Sequence, residues 1–327
     1  MSKFLNGFFC TVFLFSSNAF AQSTQSATSY PSKPIRIIVP FAAGGAGDTA
    51  ARVLSQKLSS ILNQSVLIEN KPGAGAQIGT QFVASSPPDG YTILAGSSAI
   101  VVNPALNAAT ATYQPEKDFA PIVIGATQPM VIVVNQALGV KNFHQLKEIA
   151  GKEKLSFASA GAGTQPHVAC ERIFNGLWKL NIPHIPYKGI SPAITGLVGG
   201  EVPIYCGAPV GVGQFVKQGK LQVLLVTSET RVPNFPEVPT VIELGLPEMK
   251  DDIWQGFFAP AKTPPAIIQK LNLALNQALK SPEVIEKLEQ NDFVMLGGTP
   301  KQASDFISSE VVRWGKIATE VSALPMQ

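Results

Sequence analysis

The stretch PFAAGGAGDTAAR, residues 40–52, decides how the chain reads. Before it, Ile35, Ile37, Ile38 and Val39 form a strand-sized apolar run that stops at Pro40. After it, Ala50, Val53, Leu54, Leu58, Ile61 and Leu62 recur at helical spacing and predict a helix over residues 49–62. Gly44 and Gly45, between the two, free the backbone of side chains and permit positive φ. Asp48, or Thr49 in its place, is positioned to cap the helix by accepting from its first N–H groups. A strand, a glycine turn and a helix start together offer an anion a set of backbone donors. Parallel α/β sheets also place ligands at the carboxyl ends of their strands. The same residues equally describe a capped helix after a tight turn with no ligand, and on chemistry alone both readings stand.

The alternation continues outward. Strands are expected over residues 66–69 and 91–95 and a short helix over 78–84, giving a β-α-β-α-β order and a mostly parallel sheet. A second set follows, with strands over 130–134, 155–160, 184–187, 202–206 and 221–227 and helices over 143–150, 165–177, 192–198 and 213–217. After WQGFFAP (254–260), read as a strand, come helical stretches over 265–280, 282–290 and 301–321. In the last of these Ile307, Val311, Trp314, Ala318 and Val321 mark one buried face. Helices of this length need a sheet to cover, and the first unit lacks helices on one side. The expected organisation is therefore a discontinuous first lobe, residues 30–127 plus 250–327, and a second lobe, residues 128–249.

With 327 residues, 14% of them charged, and a mean hydropathy of +0.18, the chain can bury two cores, and a disordered reading fails. A net charge of +3 leaves no electrostatic footprint for nucleic acid. At the N-terminus Lys3, an apolar core over residues 7–15 and small residues at Ala19 and Ala21 read as a signal peptide (1–21) cleaved after Ala21, with a flexible leader over 22–29. Cys10 lies inside the apolar core rather than at the cleavage point, which discounts a lipoprotein. No later apolar run exceeds strand size. The mature chain is expected in the periplasm, with Cys170 and Cys206 as its cysteines. An oxidising compartment permits a disulfide, but sequence does not show whether the two come close enough.

GAGAQIG, residues 73–79, is a loose match to a dinucleotide fingerprint, with a lengthened turn and no acidic residue at the end of the next strand. No phosphate-binding G-x-x-x-x-G-K-[ST] is present. SAGAGTQPH, residues 159–167, is a second glycine turn from strand to helix, in which Gly161, Gly163 and Thr164 repeat the logic of Gly44, Gly45 and Thr49. Two such loops facing each other would line a cleft between domains, a favoured place for a ligand. His144, His167 and His184 lack metal-ligand spacing, so neither a metal nor a cofactor is expected. Nothing orders Ser159 or Ser97 into a catalytic triad with a histidine and an aspartate. Lys188, in YKG (187–189), offers one cation after a strand and reads equally well as a solvated loop lysine.

Taken in series, YPSKPIRIIVPFAAGGAGDTAAR, VLIENKPGAGAQIGTQFVASSPPDGYTIL, LSFASAGAGTQPH, IPYKGISPAITGLVGGEV and GKLQVLLVTSETRVPNFPEVPTVIELGLP resemble the tripartite tricarboxylate transporter substrate-binding proteins, the Bug receptors, over residues 30–321. The resemblance implies an α/β, two-lobed periplasmic binding protein (type II, Venus-flytrap) with a cleft between the lobes. It implies no enzyme but a receptor that captures a small carboxylate, a di- or tricarboxylate or an aromatic acid, for membrane transporter subunits, and acts as a monomer. Carried onto this chain, the carboxylate would be held largely by backbone N–H groups. The expected ligand-binding residues are Phe41, Gly44, Gly45, Asp48 and Thr49 in one loop and Ser159, Gly161, Gly163 and Thr164 in the other. Tyr187, Lys188, Gly189 and Gly207 would line the second lobe's side, with Ser97 and Ser98 as further contacts. In GGEVPIYCGAP (199–209), Pro203 and Gly207 stand where the family often has aspartates and Cys206 replaces an aromatic residue. That departure argues against a ligand bearing an amine. An exported hydrolase using Ser159 and a receptor for a membrane signalling partner are the alternatives.

Overall fold

The computed structural model describes residues 30–322, so the expected signal peptide and the whole of the expected leader lie outside the described residues. Two mixed sheets organise the chain. The first has six strands: β1 (Ile35–Val39), β2 (Val66–Asn70), β3 (Thr92–Ser97), β4 (Phe119–Pro129), β10 (Asp252–Pro260) and β11 (Val294–Met295), in the order β11-β4-β10-β3-β1-β2. The second has five: β5 (Val131–Asn135), β6 (Phe157–Ser159), β7 (His184–Pro186), β8 (Ile204–Gly207) and β9 (Leu221–Val226), in the order β7-β6-β8-β5-β9. β1 pairs in parallel with β2 and β3, and β6 with β7 and β8, so each sheet sends its glycine turns out of parallel strand ends. The returning strand β10 enters the first sheet antiparallel, between β3 and β4.

Helices α1 (Ala46–Leu62), α2 (Gln77–Ala84), α3 (Ala99–Leu106) and α4 (Pro115–Asp118) connect or flank the first sheet's early strands. Around the second sheet lie α5 (Phe143–Ala150), α6 (Gln165–Glu171), α7 (Ile190–Gly199) and α8 (Gly213–Lys217). The chain closes with α9 (Pro265–Leu279), α10 (Pro282–Glu289) and α11 (Pro300–Ser322). Of these, α9 packs on α1 and β4, and α11 packs on α3 and β4. Ile307, Trp314 and Val321 of α11 join Ile38, Leu94, Trp254 and Phe258 in the first sheet's core. Glu310 is buried on the same face, where its carboxylate accepts from Trp254 Nε1 (2.9 Å) and Trp314 Nε1 (3.2 Å) and pairs with Arg313 (2.7 Å). That pairing makes a buried charge tolerable.

Several elements differ from expectation; α3, α4 and β11 were not foreseen. The first helix begins at Ala46 rather than residue 49, because Gly45 takes the extended N-cap conformation. Asp48 and Thr49 therefore sit inside the first turn, and neither caps it. The helix expected over 165–177 is α6 followed by a wider, π-type turn over Arg172–Leu177. β4 was not expected as a strand. It carries prolines at 121 and 129 and pairs with β10 through two register shifts.

The chain passes between the sheets twice, at residues 129–131 and again between β9 and β10. Thr227 ties the two crossings together. Its N–H donates to Met130 O (2.9 Å), its hydroxyl oxygen accepts from Met130 N (2.8 Å), and the hydroxyl donates to Asp251 O (2.5 Å).

Cys170 of α6 and Cys206 of β8 form a disulfide in the second sheet's core, with Cα atoms 6.5 Å apart. Closing a loop with a sequence separation of 36 should stabilise the fold by about 3–4 kcal/mol through the unfolded chain. The double variant Cys170→Ala, Cys206→Ala should lower the urea unfolding free energy by that order. An unchanged midpoint and slope would mean that the bond contributes nothing.

Candidate functional site

The ends of β1, β3, β6 and β8 and the starts of four helices enclose a cavity of about 500 Å³, its mouth included. Helix α1 contributes Gly45, Ala46 and Gly47, and α3 contributes Ser98 and Ala99. Thr164, Gln165 and Pro166 come from α6, and Ile190 from α7. None of these helices is capped by the side chain of its N-cap residue, although Ala99 N at the head of α3 donates to Ser97 Oγ (3.4 Å). The first N–H groups of a helix have no intrahelical acceptor, so uncapped starts leave donors for an occupant. The summed dipoles add partial positive charge at the same point. Among the described residues no charged side chain lines the cavity; its remaining walls are Phe41, Ser97, Ala160, Gly207, Ala208, Ile253 and Gln255. The arrangement can hold one compact anion by neutral donors, beside an apolar body.

Asp48 explains how the first loop keeps this shape. It is buried and does not line the cavity. Its Oδ2 accepts from Gly44 N (2.9 Å) and Arg52 Nε (2.8 Å), and its Oδ1 accepts from Asn70 Nδ2 (2.9 Å). Burial pushes this carboxyl up, but the bonds from Arg52, Gly44 and Asn70 outweigh it and hold it below the ordinary aspartate range. Asn70 also donates to Phe41 O (3.0 Å). The carboxylate therefore folds the loop back on itself from the third position of the helix, outside the cavity lining. Gly44 (φ +82°) packs against Ser191, and Thr49 is an ordinary helical residue whose N–H bonds Gly45 O.

Six expected residues thus line the cavity: Phe41, Gly45, Ser97, Ser98, Thr164 and Gly207. Gly207 has no room for a side chain, because a Cβ there would meet the Tyr205 hydroxyl at 2.1 Å. That contact gives a physical reason for glycine at this position. Gly161, Tyr187 and Lys188 line a neighbouring chamber of about 560 Å³ that shares Phe41 and Ala160 with the first. The backbone of the 187–189 turn meets the first loop directly: Ala42 N donates to Lys188 O (3.0 Å), and a Cβ on Gly189 would lie 3.1 Å from Ala42. Tyr187 donates its hydroxyl to Glu201 (3.0 Å). Gly163 abuts Asn103 outside both chambers.

Ser159 is wholly buried and lines neither chamber. Its hydroxyl bonds His184 Nε2 (2.8 Å) and Gly161 O (3.1 Å) and accepts from Gly161 N (3.2 Å). The serine–histidine pair braces the second glycine loop from beneath the surface. Behind it the rings of His184 and His167 lie 4.0 Å apart, tilted by 31°, and His167 Nδ1 accepts from Gly163 N (3.2 Å). Burial, with a smaller contribution from His167, holds His184 down to about 3.

Sequence reasoning missed Gln165, Ile190, Ile253 and Gln255. Gln255 was visible as the lone uncharged polar side chain in an otherwise apolar strand, WQGFFAP. Only the return of β10 between β3 and β4 brings it to the cavity. The glycines of residues 73–79 also find their reason here. A Cβ on Gly75 (φ +57°) would lie 2.0 Å from Ala162 O, and one on Gly161 would lie 3.0 Å from Gly75 Cα. Gly75 is bare so that it can touch the second glycine loop, Gly79 because a Cβ there would meet Lys71 O (2.7 Å) and Pro40 Cα (2.8 Å), and Gly73 because its φ is +134°, which accounts for the pattern without a dinucleotide.

Two outcomes follow from this geometry. Gly75→Ala should weaken ligand binding at least about tenfold by disfavouring the state in which the loops touch. It should cost the unliganded fold only about 1–2 kcal/mol for its left-handed backbone. Calorimetric titration alongside urea unfolding separates the two, and unchanged affinity would refute the contact's importance. For His184, a folded value of about 3 lies below the unfolded value near 6.5, so the unfolded chain binds the extra proton between them. Stability should fall as pH drops from about 6.5 toward 3, by at most about 1.4 kcal/mol per unit from this group. His184→Gln should flatten that slope in urea titrations between pH 4.5 and 7.5, and a parallel slope would exclude it.

Comparison with known proteins agrees with this architecture. Residues 50–323 match the family model described as the tripartite tricarboxylate transporter family receptor. Protein BugT of Bordetella pertussis is 36% identical over 301 residues, covering 91% of this chain and 92% of BugT. The structure of the periplasmic binding protein BugD superposes with a TM-score of 0.85 at 32% identity, covering 90% of this chain and 99% of BugD. MatC from Rhodopseudomonas palustris, solved with bound malate, gives a TM-score of 0.83 at 29% identity, covering 88% and 100%. These relatives are two-lobed solute-binding receptors rather than enzymes, and this chain belongs to the tripartite tricarboxylate transporter receptor family.

Proposed function

We propose that this receptor captures a small carboxylate in the periplasm and presents it to the membrane subunits of a tripartite tricarboxylate-type transporter. The observation that carries the reading is the convergence of four uncapped helix starts on a cavity with no charged side chain. Such donors favour an anion, and the family's membrane partners supply the destination. The carboxylate sits against Gly45, Ala46 and Gly47 on one side and Thr164 on the other, with Ser97 and Ser98 as hydroxyl contacts. Phe41, Ile190 and Ile253 cover its apolar body. Asp48, Gly44, Ser159 and the 187–189 turn hold the loops in place rather than touch the solute.

The lobes comprise residues 30–127 with 250–327, and residues 128–249; membership of the two sheets supports this division. The exported form begins after Ala21 and acts as a monomer. The solute carries no amine, because an ammonium would be buried beside four positive helix ends with no carboxylate to meet it.

Thermal unfolding of the mature protein against acids and their uncharged amides tests the reading. The panel should hold aliphatic di- and tricarboxylates, aromatic acids and acidic amino acids. A bound acid at 100 times its dissociation constant should add about 2.7 kcal/mol, a rise of a few degrees. Its amide should add nothing. A panel in which amides shift the midpoint as far as acids, or in which only amino acids do, would reject it.

A further inference from the structure

Gln165 opens α6 at the wall of the cavity and is fully buried. Its side-chain Nε2 donates to the backbone carbonyl of Asp252, on the first sheet, at 3.1 Å. A carbonyl only accepts, so this bond fixes which way the amide faces. The other arm, Oε1, is buried with no hydrogen-bond partner. A buried amide oxygen without a donor is costly and calls for an explanation. The helix starts around it present donors, which suit a carboxylate. Gln165 Oε1 presents an acceptor, which a carboxylate cannot satisfy.

We infer that Gln165 Oε1 reads a hydroxyl on the body of the solute, so that the receptor selects hydroxylated carboxylates over their deoxy analogues. The inference rests on the carboxylate reading above and narrows it. An ammonium could also donate to an amide oxygen, but no acidic side chain lines the cavity to balance its charge, and both oxygens of Asp48 are already engaged. A site that hydrogen-bonds a substrate hydroxyl discriminates strongly against the analogue lacking it, because the buried protein group is then left unpaired. Gln165 also bonds across the sheets to Asp252, so a hydroxyl held at Oε1 would orient the amide whose other arm fastens the two sides together.

The experiment compares dissociation constants within pairs by calorimetry: succinate with malate, and benzoate with 4-hydroxybenzoate. Aspartate serves as the amino counterpart of malate. In at least one pair the native receptor should bind the hydroxylated member about tenfold or more tightly, and aspartate should bind more weakly than malate. In Gln165→Leu the ratio within that pair should collapse toward one. Loss of the bond to Asp252 weakens both members alike, which is why the ratio is read. Retained binding of the deoxy acid shows that the variant is folded. Equal affinities within every pair, a ratio that survives Gln165→Leu, or aspartate outcompeting malate would each overturn the hydroxyl assignment while leaving the carboxylate reading intact. Binding of none of the five acids would overturn both.

Discussion

A helix start can be capped by its own chain or offered to a ligand, but not both. The proposed binding mode of this receptor depends on taking the second course around one point. Capping α1, α3, α6 and α7 from within would stabilise each helix by roughly 1 kcal/mol. The sequence forgoes that at Gly45, Ser98, Thr164 and Gly189 and recovers stability elsewhere. Asp48 shows how: it sits in the first turn of α1, yet it spends its oxygens on Gly44, Asn70 and Arg52, shaping the loop while leaving the leading N–H groups of the helix unbonded. A negative side chain pointing the other way would fill the site with the protein's own carboxylate.

The same economy governs the glycines. Gly75 and Gly161 face each other at a separation that admits no Cβ, and Gly189 lies against Ala42. These contacts join loops of different sheets, so their bareness serves the contact between the two halves as well as the positive-φ turn in which each residue sits. A glycine-rich motif is therefore ambiguous in isolation. GAGAQIG looks like a phosphate cradle until its partner loop is known.

Much of this was legible in the sequence, and what was not has identifiable causes. The alternation of apolar runs and helical stripes declares an α/β chain, and the glycine turns after β1 and β6 mark where a site should form. Helix α3 escaped because AIVVN is buried on every face and so has no polar side to reveal a period, and Pro104 interrupts it. β4 escaped because its prolines read as breaks, yet both fall where the strand's pairing is irregular or ends. The register of α1 was misjudged by three residues, since an aspartate after a glycine pair looks like a cap and only the extended backbone at Gly45 shows that it is not. Gln165 and Gln255 were out of reach for a different reason. Their meeting at one cavity depends on a strand that returns more than a hundred residues after β4, and no local pattern encodes that return.

Thr227 bears on how such a molecule moves. The two strands that carry the chain between the sheets could act as independent tethers, and the halves would then slide and twist as well as swing. Bonds from one threonine to Met130 and to Asp251 bind the crossings at a single waist. Sliding or twisting of one half against the other would break those bonds, whereas a swing about the waist would keep them.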